Sequence, residues 1–347
     1  MDTMINADIS QPWGNYSLYT LTNENGVNLE VSNLGATIVK FWVTDNRHCK
    51  CNIVLGFETP EEYLNSGSYI GGIVGPWGNR VEGGAFEYDG ETFQLECNEG
   101  NNHLHGASCE LHKRRWSVAA ISPQGITLQT TVKKGEAGYP ANLRITVTYR
   151  LSDENELTIR YGVESDSTCP VNPTQHTYFN LSGQRKNIRE HVVAIDANKY
   201  WKTDFNMIPK EKQSVANTVM DFLIPKKIDV GLSSFTDDIS VANGYDHCYI
   251  LNGQGLRTVG WVYEPSNGIA LEILTDRPGL QFYTGNHLGG EKNSKGESFM
   301  QYAGFCLETQ AFPNQVNMND LASEVMASPE SPFFSTTIFK IQVEKAL

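Results

Sequence analysis

The strongest constraint in this chain is a period of two. Leu143, Ile145, Val147, Tyr149 and Leu151 alternate with Arg144, Thr146, Thr148 and Arg150. Successive side chains of an extended strand point to opposite faces, so this run has one apolar and one polar face. After Asp153-Glu154-Asn155-Glu156, the alternation resumes at Leu157, Ile159, Tyr161 and Val163, which predicts a hairpin with one buried face. A second hairpin is marked by Asp89-Gly90, with Phe86 and Tyr88 before it and Phe93 and Leu95 after it. Asp-Gly supplies the positive φ angles of a type I′ turn. Further strands are expected near 28–43, 125–132, 192–196, 247–251, 269–274 and 280–284, and a last one at Phe339-Ile341-Val343. Helical pattern is confined to Pro60–Asn65 and Asn317–Met326. Many short strands punctuated by 31 Gly and 14 Pro predict an all-β fold, a large antiparallel β-sandwich with very little helix.

A chain of 347 residues has a prior of about two domains, yet a large sandwich can fill much of that length as one unit. No Pro/Gly/Ser linker, charge block or internal repeat marks a seam. With 40 acidic and 27 basic residues the net charge is -13, and the densest basic cluster is Lys113-Arg114-Arg115, so no nucleic-acid partner is expected. Seven cysteines (Cys49, Cys51, Cys97, Cys109, Cys169, Cys248 and Cys306) are odd in number and scattered, as reduced thiols are. Met1 to Tyr16 lacks the basic and apolar regions of a signal peptide, and no run reaches the ~20 apolar residues that span a bilayer. A cytoplasmic protein with no membrane partner is expected.

Polar groups gather in four segments: 75–81, 101–106, 172–181 and 304–310. On a strand, Cys306, Glu308 and Gln310 share one face while Phe305 and Leu307 take the other. A carboxylate among apolar neighbours is desolvated and becomes a stronger base; the ordinary alternative is a solvated Glu on an edge strand. His176 sits among hydroxyls and amides able to fix its tautomer, as acid–base work requires, and a histidine satisfied in a strand ladder is the competing reading. His103 and His105 have the spacing of two metal ligands on one face, and with Glu110 they imitate a His-x-His-x4-Glu pattern. The glycines that flank such a motif are missing and no cysteine pair has zinc-finger spacing, so no metal is expected; His48-Cys49-Lys50-Cys51 is a weaker suggestion still. Asn79-Arg80 offers an amide and a planar donor fork, Asp246 an acceptor, and Gln281 an amide beside aromatic rings, all suited to sugar hydroxyls. No Gly-x-Ser-x-Gly elbow, phosphate loop or dinucleotide fingerprint occurs.

Asn79-Arg80-Val81, Asn102-His103-Leu104-His105-Gly106, His176-Thr177-Tyr178-Phe179-Asn180-Leu181-Ser182-Gly183, Tyr245-Asp246-His247 and Leu307-Glu308-Thr309-Gln310 follow one another in order. Together they resemble the aldose 1-epimerases, or galactose mutarotases, with supporting matches at Gly138-Tyr139-Pro140 and from Gly304 to Pro313. The resemblance implies that family's galactose mutarotase-like supersandwich as a single domain over 1–347. It also implies interconversion of the α and β anomers of a free hexose such as galactose or glucose, without a cofactor. By position, Glu308 resembles the general base and His176 the general acid, with His105 assisting; Asn79, Arg80, Tyr178, Asp246 and Gln281 resemble the sugar contacts. On that chemistry Glu308 is expected ionised and His176 protonated in the resting enzyme. Three positions depart from the family pattern: Trp77-Gly78 before Asn79, Gln175 before His176, and Ala107 after Gly106, followed by Cys109 to Arg115. They are expected at the cleft wall, where they would affect which sugar fits. Two alternatives remain, a hexose-6-phosphate 1-epimerase and a non-catalytic carbohydrate-binding protein of the same fold. The partner is expected to be a small-molecule aldose, and the protein a monomer or homodimer.

Overall fold

A computed structural model describes residues 9–183, 187–291, 296–318 and 320–344. The alternating runs form the expected hairpin: Leu143–Leu151 pairs with Glu156–Ser165 from Leu143↔Ser165 to Leu151↔Leu157, and its apolar positions are buried. This hairpin lies within a nine-stranded antiparallel sheet whose order is Ser117–Ser122, Gly125–Val132, Leu143–Leu151, Glu156–Ser165, Phe333–Val343, Ile269–Thr275, Arg257–Glu264, Val192–Ile195 and Lys226–Lys227. At the second hairpin, Asp89 and Gly90 have φ of 51° and 78°, the two positive values its turn needs.

A five-stranded antiparallel sheet carries the polar segments. Its order is Pro209–Ser214, Lys199–Thr203, Asp246–Ile250, Gly279–Tyr283 and Cys306–Gln310. A third sheet, from Ser10–Trp13 to Lys50–Asn52, is built from five consecutive strands. One contiguous apolar cluster joins all three, with Val147, Ile159 and Leu271 from the long sheet, Phe282 and Leu307 from the second, and Leu29 and Phe41 from the third. Leu307 and Phe282 turn one face of the second sheet to this core, so Glu308 and Gln281 must turn to the other.

The short helix Pro60–Asn65 forms where expected, opened by a Thr59–Glu62 capping box. Two others, Asp229–Leu232 and Asp237–Ala242, were not anticipated. In the second, Ile239 and Ala242 are buried three positions apart, too short a repeat to stand out as periodicity. The helix expected over Asn317–Met326 is absent among its described residues; Asn319 lies outside them. Tight 3-10 turns at Gln315–Asn317 and Ala322–Val325 replace it, and Met326–Ala327 pairs with Cys169–Pro170 as a strand. The Gln315 side chain accepts from the Phe312 N–H and also donates to the Leu321 carbonyl, a group that a continuous helix would have used. The final strand is longer than expected, Phe333–Val343. Residues 1–8 of the segment read for a signal peptide lie outside the described residues.

Candidate active site

Strand register sets the floor of the site. Asp246, Tyr283 and Cys306 stand side by side across the second sheet, and Cys248, Gln281 and Glu308 form the next row on the same face. Three other segments close over this floor. Thr174–Gln175 pairs with Ile73–Val74, and the His176 N–H donates to the Gly72 carbonyl at 2.9 Å. Arg80–Val81 pairs with His103–Leu104, which puts Asn79 against His105. The loop around Tyr69 supplies a ring 4.8 Å from that of His105 and 5.7 Å from that of His176. Between them is a cavity of about 620 Å³ lined by Asn79, Arg80, Glu99, His105, His176, Tyr178, Asp246 and Glu308 among others.

Glu308 is 3% exposed, so it is no solvated edge carboxylate. Its Oε1 is 3.8 Å from His176 Nε2, and its Oε2 has no hydrogen-bond partner among the described residues. Burial, reinforced by the Asp246 charge and opposed by Arg80, pushes the Glu308 carboxyl well above its ordinary range. Burial pushes His176 down to about 4. These shifts favour a neutral pair, not the ionised Glu308 and protonated His176 expected from the chemistry alone. Desolvation, which outweighs the attraction of the pair, is the reason.

His105 has φ of +52°, and its Nδ1 accepts the Asn79 backbone N–H at 3.1 Å. That bond fixes the neutral tautomer with its proton on Nε2, so the ring presents a donor to the cavity. Burial holds His105 well below its ordinary value and keeps it in this neutral form. His103 and His105 do not share a face, because the left-handed turn at His105 breaks the alternation. His103 instead faces the Glu96 carbonyl at 2.7 Å and the Tyr139 hydroxyl at 2.8 Å, a structural role. A different trio, His105, His176 and Glu308, has ligand atoms within 4.8 Å of one another. It fits a cation poorly, since the His105 lone pair is already engaged by Asn79 and its cavity-facing nitrogen carries the proton.

All of the anticipated residues meet in one place, but two stand differently from their sequence reading. The Arg80 fork is occupied: Nε and Nη2 donate to the two carboxylate oxygens of Glu99 at 2.6 and 2.7 Å. Gln281 does not line the cavity; its Nε2 donates to Asp246 Oδ1 at 2.6 Å and holds that carboxylate toward the opening. Tyr178 lines the cavity with its ring 5.1 Å from that of His176. Glu99, Tyr69, Tyr283 and His287 also line it and were missed. Tyr283 was detectable, two residues from Gln281 on the same face; Glu99 and Tyr69 lie in loops whose spacing announces nothing. The three departures are not at the cleft wall. Trp77 is fully buried with Nε1 donating to the Arg80 carbonyl, Gln175 donates to the Gly71 carbonyl at 2.7 Å, and Ala107 is buried, so all three serve packing.

Comparison with known proteins bears on this arrangement directly. The sequence model of the family described as aldose 1-epimerase matches residues 17–339. The chain is a member of the aldose 1-epimerase family. It is 36% identical over 319 residues to the galactose mutarotase of Bos taurus, covering 91% of each chain. To the aldose 1-epimerase of Escherichia coli strain K12 it is 34% identical over 307 residues, covering 87% of this chain and 88% of the other. A crystal structure of galactose 1-epimerase from Lactobacillus acidophilus NCFM superimposes with a TM-score of 0.84 at 30% identity, covering 96% of both chains. This aldose 1-epimerase is thus an isomerase acting on a small-molecule sugar, with a mutarotase-type antiparallel fold. No helix among its described residues is long and apolar enough to cross a membrane.

Proposed function

We propose that this aldose 1-epimerase acts on uncharged hexoses such as galactose and glucose, with Glu308 as the base, His176 as the acid, and His105 as a second donor to the reacting oxygens. The observation that carries the reading is the pairing of a buried carboxylate bearing one unpartnered oxygen with an imidazole nitrogen 3.8 Å from its other oxygen, both facing one cavity. Glu308 takes the proton of the C1 hydroxyl while His176 Nε2–H protonates the ring oxygen. The C1–O5 bond breaks, C1 becomes an aldehyde carbon, and both protein groups end neutral. Rotation about C1–C2 offers the other carbonyl face, and the same transfers in reverse close the other anomer. Each transfer contributes roughly 10²–10⁴-fold, or about 3–5 kcal/mol. Asn79, Arg80, Tyr178 and Asp246 hold the hydroxyls, and Gln281 steadies Asp246 from behind.

The charge pattern supports a neutral substrate over a phosphorylated one. Arg80 is the only Lys or Arg among the described residues lining the cavity, and Glu99 already neutralises it beside Asp246 and Glu308. An acid–base pair is also more than a non-catalytic sugar binder requires. We further propose that residues 1–347 form one domain, since the cavity draws on residues from Gly67 to Glu308, and that the protein works in the cytoplasm as a monomer or homodimer. Polarimetry of freshly dissolved α-D-galactose and α-D-glucose tests the activity. Wild type should accelerate mutarotation, and Glu308→Gln and His176→Asn should each lose at least about 10²-fold. Full rates in both variants would refute the roles.

A further inference from the structure

One buried nucleophilic side chain in the cavity floor has no part in the scheme above. Cys306 is fully buried, and its Sγ is 3.6 Å from His176 Nδ1. Among the described residues no other side-chain atom is hydrogen-bonded to that ring nitrogen. The opposite nitrogen, Nε2, faces Glu308 Oε1 at 3.8 Å. Cys306 and Glu308 lie two apart on the strand Cys306–Gln310, so their side chains rise from the same face and meet the imidazole at its two nitrogens. We propose that Cys306 is the positioning residue of the acid, holding the His176 ring through Nδ1 so that Nε2 is the nitrogen that exchanges a proton with the sugar.

The choice of a thiol has a chemical consequence. In catalysis the ring alternates between imidazolium and neutral imidazole. The imidazolium gives its Nε2 proton to the ring oxygen, so the neutral ring keeps its proton on Nδ1, and both states need an acceptor there. A thiol sulfur is a weak acceptor. A carboxylate in this place would accept strongly, would stabilise the imidazolium, and would hold back the proton that must leave. Cys306 thus orients the ring in both states without fixing its charge. Burial keeps the thiol protonated, well above its ordinary value, so Nδ1–H meets a neutral sulfur.

Besides a hydrogen bond between the ring and its own backbone, the other groups facing His176 supply no competing side-chain anchor for Nδ1. Tyr178, Tyr69 and Tyr283 present rings at 5.1, 5.7 and 6.3 Å, and His105 meets the ring edge-on at 5.5 Å. Asp246 acts on it through its charge, His112 and His176 oppose each other's protonation, and Glu308 stands at Nε2. The inference rests on the assignment of His176 as the acid, and its tests separate the two.

The first test uses the wild-type protein. In ¹⁵N-histidine-labelled enzyme at pH 7, His176 should be the Nδ1-protonated tautomer, and finding the proton on Nε2 overturns the proposal. The second compares Cys306→Ala with Cys306→Ser by galactose polarimetry from pH 3 to 9. The alanine variant should lose about tenfold in kcat with KM within about twofold, and should show mixed tautomers and a displaced acidic limb. The serine variant, whose hydroxyl both donates and accepts, should stay within about threefold of wild type with the limb in place. An alanine variant with the wild-type kcat and pH profile overturns the proposal, as does a serine variant as impaired as alanine. If His176→Asn is inactive while Cys306→Ala is normal, only this inference falls; if His176→Asn is fully active, the acid assignment falls with it.

Discussion

Asn172 does not line the active-site cavity, yet it is the join on which the site depends. It is fully buried, and its side chain makes three hydrogen bonds: Nδ2 to the Gly78 carbonyl at 3.1 Å, and Oδ1 from the Ala311 N–H at 2.8 Å and from Arg277 Nη2 at 3.1 Å. Gly78 leads into Asn79-Arg80, Ala311 follows the strand carrying Glu308, and Asn172 itself precedes the segment carrying His176. Replacing Asn172 with Leu keeps a branched side chain, excludes water, and leaves all three partners unpaired. Arg277 is the costliest of them; burial already lowers its pKa to about 10. Two orphaned neutral groups at about 1–2 kcal/mol each and one charged group at about 2–3 kcal/mol sum to about 4–7 kcal/mol. That is a large share of the ~5–15 kcal/mol by which such folds are stable. Asn172→Ala should cost less, because the vacated space admits a water to the stranded groups. Asn172→Asp should cost least, because it keeps both acceptor bonds and gains the Arg277 charge, setting an oxygen against the Gly78 carbonyl. Urea unfolding followed by tryptophan fluorescence gives the ranking Leu, then Ala, then Asp in decreasing loss. A loss below about 1.5 kcal/mol for Leu, or an Asp variant less stable than Ala, would refute this account of the join.

In the proposed mechanism the Glu308–His176 pair must carry one proton to work, so activity should be bounded on both sides. As pH falls through about 4 the pair gains a second proton at His176, and kcat/KM should drop about tenfold per unit. As pH rises past the elevated Glu308 value, the last proton leaves and activity falls again; a profile flat from pH 3 to 9 contradicts the pairing. Glu99→Gln removes the charge that neutralises Arg80 while keeping one bond to its fork. Galactose KM should rise about three- to tenfold, and galactose 6-phosphate, negligible as a competitor of wild type, should become a measurable competitive inhibitor whose binding weakens with salt. Gly106 has φ of +85°, and a Cβ there would lie 1.8 Å from the Gly75 carbonyl oxygen. Gly106→Ala should lose at least about 3 kcal/mol in thermal melts, since backbone on both sides of the clash must move.

The fold was largely legible because its signal is local. Alternation in 143–163 needs only neighbouring residues to declare a face, and Asp89-Gly90 declares its own turn. Glu308 and Cys306 could be put on one face by counting, although the same counting does not show that loops cover that face. The failures share a cause. His103 and His105 looked like a pair until a left-handed residue broke the period. Trp77, Gln175 and Ala107 looked like cleft residues because they flank site residues, yet each turns inward to packing or to a backbone carbonyl. Glu99 was invisible because its meaning lies in Arg80, reached only when Arg80–Val81 pairs with His103–Leu104.

Burial of the acid–base pair follows the same logic and changes its energetics. In water, Glu near 4.3 and His near 6.5 favour the ion pair by about 2 pK units, or ~3 kcal/mol. Ring opening in the proposed mechanism moves a proton from His176 to Glu308 by way of the sugar, so an exposed pair would work against that preference. Here the order is inverted: His176 is down to about 4 and Glu308 is well above 4.5. The neutral pair, which is the state of the ring-opened complex, becomes the favoured one, and the site offsets part of the cost of the aldehyde intermediate. Asp246 raises both members of the pair, and Arg80 lowers Glu308 and so weakens the inversion. With its fork held by Glu99, Arg80 acts on Glu308 as half of an ion pair, so Glu99 also guards the inversion. A carboxylate among tyrosines and histidines is therefore no waste of stability in this family member; its desolvation is the means by which two ordinary side chains exchange their usual proton preferences.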